Sequence, residues 1–116
     1  MKRDNPLFVY QAQLLKVIDG DTLRLLIDKG MRDRSEESIR LLNIDTPELF
    51  SGDARDQGAA ARQFVVDWCM VHQHANPWPL RIYTEKDRTT FNRYLAQVLC
   101  ATCGSDLVEK LKAAGY

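Results

Sequence analysis

Hydrophobic and polar positions alternate over the first third of the chain and then change period. Residues 8–18 are rich in β-formers and predict a first strand. From Thr22 to Asp28 the alternation sharpens, with Leu23, Leu25 and Ile27 on one side, which predicts a second strand with one buried face. Asp19-Gly20-Asp21 between them is a turn signal, because Asp and Gly tolerate tight backbone geometry. Lys29 to Ser38 is charged and contains Gly30, so it is expected to form an exposed hairpin loop. A third strand is expected from Ser38 to Ile44, closed by Asp45-Thr46-Pro47.

Beyond that point Ala61, Phe64, Val65, Trp68 and Cys69 recur at the spacing of one helical face, which predicts a helix over about residues 58–71. Asn76-Pro77-Trp78-Pro79 ends it. Leu80 to Thr84 and Tyr94 to Cys100 return to strand character. Asp106-Leu107-Val108-Glu109 is similar to a capping box with Asp at its head, and predicts a short helix that buries Leu107, Leu111 and Ala114 and ends at Gly115. Three strands, a helix, two strands and a helix predict an α+β, mainly β fold. The expected architecture is a five-stranded OB-type barrel with one helix between strands 3 and 4 and one at the C-terminal end. A chain of 116 residues suits a single domain spanning 1–116.

Apolar residues make up 45% of the chain, enough for a core and too many for a disordered tail. Lys and Arg balance Asp and Glu at 16 each, so no overall field attracts a polyanion. Binding of nucleic acid would have to rest on locally placed Arg and Lys. No apolar run has membrane-span length and Met1 to Pro6 lacks a signal-peptide pattern, which favours the cytoplasm. Three cysteines make an odd set and argue against a disulfide framework.

The candidate chemistry lies in three segments. Asp19-Gly20-Asp21-Thr22 sets two carboxylates around a glycine at a strand junction, although Asp-Gly turns are common for backbone reasons alone. Arg40-Leu41-Leu42-Asn43-Ile44-Asp45-Thr46-Pro47-Glu48 places an arginine in a strand, a carboxylate at its end and a second carboxylate past a proline. Arg93 precedes the fifth strand. Together they supply what phosphodiester hydrolysis needs. Asp21 and Asp45 give a hard divalent cation two anionic oxygen ligands. Glu48 can activate or orient a water. Arg40 and Arg93 can clamp the charge that builds on phosphorus-bound oxygens.

Val17-Ile18-Asp19-Gly20-Asp21-Thr22, the segment from Arg40 to Glu48, and Phe91-Asn92-Arg93 resemble, in order, the signature blocks of the staphylococcal nuclease family. The resemblance runs from about Tyr10 to Tyr116, and its middle block is the most specific. It implies calcium held by Asp21, Asp45 and the backbone carbonyl of Thr46, with Asp19 acting close to the metal through water. It implies Glu48 as general base, and Arg40 and Arg93 as ligands of the scissile phosphate. It further implies cleavage of DNA or RNA, preferably single-stranded, leaving 3′-phosphate and 5′-hydroxyl ends. Two departures stand out. Asp87 to Arg93 is two residues longer than the family's pattern, with Asn92 at the usual glycine and Phe91, a candidate base-stacking residue, at the usual tyrosine. The chain stops at Tyr116, before the family's base-contacting tyrosines and third helix. The rival reading is a barrel of the same kind that binds nucleic acid or protein with its chemistry lost. Asp21, Asp45 and Glu48 favour the enzyme, since a binding module does not need that set.

Cys100-Ala101-Thr102-Cys103-Gly104 has the form of a zinc knuckle, and His72 and His74 offer two further ligands. The histidines precede the fourth strand and the cysteines end or follow the fifth, so antiparallel pairing would bring the four together as a closed His2Cys2 site. The plainer reading is two reduced cysteines in a turn and two solvated histidines, because the spacing of the four together follows no recognisable family pattern. Cys69 and Trp68 fall on the apolar helix face and are expected in the core, and Trp78 is expected to pack rather than to stack on a base.

Overall fold

The computed structural model describes residues 8–44, 55–86 and 93–116. Five strands and two helices appear in the order β1 (Val9–Asp19), β2 (Thr22–Asp28), β3 (Arg34–Leu41), α1 (Arg55–Val71), β4 (Leu80–Lys86), β5 (Arg93–Cys100) and α2 (Leu107–Ala113). The strands close into a barrel in the order β1-β2-β3-β5-β4, with β4 returning to β1. All pairings are antiparallel except β3 with β5. This is the OB-type α+β architecture, with one helix between β3 and β4 and the other after β5.

The barrel interior is filled by alternate residues of each strand. Leu23, Leu25 and Ile27 face inward from β2, Ile39 and Leu41 from β3, Leu80 and Ile82 from β4, and Ala96, Val98 and Cys100 from β5. The helical face read from the sequence closes the barrel: Ala61, Val65, Trp68 and Cys69 are buried, and Phe64 packs against Tyr116 at a ring separation of 5.9 Å. Arg62 Nε donates to the Val17 carbonyl at 3.0 Å and fixes α1 on the bulged end of β1. α2 is held by Asp106, whose carboxylate accepts from the Val108 amide at 2.9 Å and the Glu109 amide at 3.4 Å. The same carboxylate accepts from Gln97 Nε2 at 2.9 Å, which ties the cap to β5.

Two expectations need correction. The third strand starts at Arg34 and ends at Leu41, so the exposed loop is only residues 29–33. Its charged first half pairs with β2 in continuous register from Asp28↔Arg34 to Thr22↔Arg40. Backbone pairing there does not require an apolar inner face. Arg34 finds a partner in Trp78, with its guanidinium 5.2 Å from the ring centroid. Ala114 is exposed, because α2 stops at Ala113 and Gly115 turns the chain away at φ 94°. Val108 is buried in its place, beside Leu107 and Leu111. Among the described residues no helix is long and apolar enough to cross a membrane.

Candidate functional site

The β1–β2 hairpin pairs Asp19 with Thr22 and leaves Gly20-Asp21 as a two-residue connection. The Asp21 carbonyl accepts from the Leu41 amide at 2.8 Å, so the hairpin tip is anchored on the end of β3. Since Thr22 pairs with Arg40, the Asp21 side chain comes to lie beside the Arg40 guanidinium, Oδ2 to Nη2 at 3.8 Å. Asp21 is 6% exposed, whereas the Arg40 side chain keeps 32% of its surface in solvent. The Thr22 hydroxyl donates to Asp21 Oδ1 at 3.0 Å. A carboxylate held this deep beside a cation and a hydroxyl is uncommon outside functional or structural ion pairs. Asp19 lies half-buried at the end of β1 in the same hairpin.

After Leu41 the chain stays beside β5, with the Leu42 amide donating to the Ala96 carbonyl at 3.0 Å. Asn43 then turns it in the left-handed region at φ 65°, which Asn tolerates better than most residues. The described segment ends at Ile44. Asp45, Thr46 and Glu48 lie outside the described residues, as does Phe91. Arg93 opens β5 and pairs with Ser38, two positions before Arg40 on the neighbouring strand; its side chain is outside the described part. The fold thus brings Asp19, Asp21 and Arg40 to one end of β2 and β3, and sets the backbone of Arg93 on the strand beside Arg40.

The second constellation lies on different connections. The last turn of α1 leads into His72 and His74, and β5 ends at Cys100 in the turn that carries Cys103. Leu80 pairs with Cys100, and the Ala101 amide donates to the Pro79 carbonyl at 2.9 Å, which zips the two connections together. The ligand atoms of all four residues lie within 4.8 Å of one another. Burial would raise the Cys100 thiol, but amide donors from Cys103, Thr102 and Gly104, with the Cys103 thiol, outweigh it and hold it below its usual value. Desolvation, with His74 and Lys110 adding positive charge, lowers the pKa of His72 and favours the neutral ring.

One feature gave no local signal in the sequence. A cavity of about 510 Å³ opens toward the other ends of β2 and β3, lined among others by Tyr10, Ile27, Glu37, Ile39, Thr84 and Tyr94. Its walls come from all five strands, so only the closed barrel assembles them. It does not include Asp21 or Arg40.

No protein-family model matches the chain, and no curated protein matches it. The likeness to staphylococcal nucleases therefore rests on the three sequence motifs.

Proposed function

We propose that the protein is a calcium-dependent nuclease of the staphylococcal type, hydrolysing phosphodiester bonds of DNA or RNA with little sequence preference. The observation that carries this reading is the buried Asp21 carboxylate, 3.8 Å from Arg40, at the point where β3 leads toward Asp45-Thr46-Pro47-Glu48. A structural ion pair alone gives no reason for three further chemical side chains to follow in the motif's order.

The donor chemistry suits a hard cation. Asp21, with Asp45 and the Thr46 carbonyl as the motif assigns them, offers oxygen only. Held by these residues, a cation would polarise the phosphoryl oxygens and offset their charge. The remaining work belongs to side chains of this chain. Arg40, one-third exposed, can present its guanidinium fork to a phosphate while its other edge faces Asp21. Arg93 completes the clamp from the neighbouring strand. Glu48 takes a proton from the attacking water as the new oxygen–phosphorus bond forms. The bond to the 5′-oxygen breaks, and that oxygen takes a proton from solvent water and leaves as a 5′-hydroxyl, with phosphate on the 3′ side.

Glu48→Gln separates this reading from a binding module. It preserves shape and removes the base, so turnover on denatured DNA should fall by about 10²–10⁴. Nucleotide affinity and melting temperature should stay near those of the parent. An unchanged rate with a lowered melting temperature would remove Glu48 from the mechanism. Nucleic-acid binding with no cleavage by the parent protein would leave the inactive barrel as the reading.

A further inference from the structure

We propose that His72, His74, Cys100 and Cys103 form a closed, tetrahedral zinc site that staples the α1–β4 connection to the β5–α2 turn. The inference is independent of the nuclease reading, since the site shares no residue with Asp21, Arg40 or the segment that follows β3.

Four observations converge on it. The ligand atoms already lie within 4.8 Å of one another, and Cys103 Sγ is 3.4 Å from His72 Nδ1. Around a tetrahedral zinc with ordinary bond lengths, ligand atoms sit roughly 3.3–3.8 Å apart, so the set needs only a small contraction. The cysteine turn is built like a metal knuckle. The Cys103 amide donates to Cys100 Sγ at 3.4 Å, and the Gly104 amide donates to the Cys100 carbonyl at 2.8 Å. Gly104 closes that turn at φ 78°, a conformation that glycine adopts without strain.

The histidine side is held with equal care. His72 follows the last helical turn, its amide donating to the Trp68 carbonyl at 3.1 Å, and its ring lies tilted at 39° against Trp68, centroids 4.6 Å apart. His74 and Ala75 both sit in the left-handed region, at φ 51° and 54°. Two successive non-glycine residues there carry a conformational cost, and the result is that the His74 ring lies 5.7 Å from the His72 ring. Finally, both cysteines are free thiols. Two thiolates and two imidazoles make a soft nitrogen–sulfur set that selects zinc over calcium or magnesium. Four protein ligands leave no open position, so the role is structural.

The test uses the full chain purified under reducing conditions. Metal analysis should find one zinc per chain that survives dialysis. After stripping with chelator, cobalt(II) should give the intense visible bands of tetrahedral coordination together with thiolate charge-transfer absorption, and zinc should displace it. His74→Ala and Cys103→Ser alter exposed residues, so both variants should fold. Each should weaken zinc binding roughly 100-fold or more, since even residues that merely support a ligand cost 10–100-fold. Zinc should raise the melting temperature of the parent and not of the variants. Substoichiometric zinc, a weak octahedral cobalt spectrum, or unchanged affinity in both variants would overturn the proposal. So would a native mass two hydrogens light that marks a Cys100–Cys103 disulfide.

Discussion

Arg40 faces Asp21 in the folded chain and, in the proposed reaction, a phosphate of the substrate, and substitution by lysine pulls the two roles apart. Toward Asp21 the guanidinium acts largely through its charge, Nη2 to Oδ2 at 3.8 Å. Attraction at about 4 Å runs from about 1 kcal/mol in water to about 4 kcal/mol at a protein surface. With a third of the arginine side chain in solvent, screening and the cost of burying Asp21 reduce the net value to about 1 kcal/mol. Arg40→Ala should therefore lower the melting temperature by about 3–6 °C. Arg40→Lys should recover most of that. Toward phosphate, a lysine cannot reproduce the planar fork. Both variants should then lose about 2–4 kcal/mol of transition-state stabilisation, roughly 30- to 900-fold in kcat/KM. The assay pairs thermal melts with initial rates on denatured DNA, using one preparation of each variant. Near-native rates in Arg40→Lys would refute the bidentate role and leave Arg40 as the electrostatic partner of Asp21.

Other elements yield sharp expectations. Asp106→Ala removes both the α2 cap and the acceptor for Gln97, and should cost about 1–2 kcal/mol in urea unfolding; an unmoved midpoint would show the cap to be redundant. Cys69 is raised by burial from 9.0 to about 12, so the folded state keeps its proton where the unfolded state loses it. The Cys69 contribution to stability is therefore intact below about pH 9 and is lost as pH rises toward 12, a decline that Cys69→Ala should flatten in pH-dependent unfolding. In the native protein Cys69 should resist thiol reagents that label exposed Cys103 in chelator, and rapid labelling of Cys69 would contradict its place in the core.

Much of the barrel was legible because burial imposes a period. Leu23, Leu25 and Ile27 alternate since only one face of β2 meets the interior, and Ala61, Val65, Trp68 and Cys69 recur at helical spacing since one stripe of α1 covers the barrel end. The first half of β3 was not legible. Arg34 to Ser38 carries no large apolar residue, and its strand form comes from backbone pairing to β2, a partner that periodicity does not reveal. The parallel β3–β5 pairing that closes the barrel is equally non-local. It sets Arg93 beside Ser38, a proximity that a weak three-residue motif could only suggest. The motifs singled out Asp21 and Arg40 but gave no contact between them; the contact comes from the Thr22↔Arg40 register, and its burial from the Leu41 amide anchoring the hairpin tip. The His and Cys quartet was legible from topology alone, because antiparallel β4 and β5 must bring the residues before one strand to those after the other.

The proposed hydrolysis at a divalent-cation site that includes Asp21 can be tested by digestion of denatured DNA by the purified chain in calcium, in magnesium and in excess chelator. Cleavage is expected with calcium, slower cleavage with magnesium and none with chelator, because an all-oxygen ligand set suits a large cation with loose geometry. The fragments should bear 3′-phosphate and 5′-hydroxyl ends. Cleavage that persists undiminished in chelator, or no cleavage in any of the three conditions, would contradict the proposal.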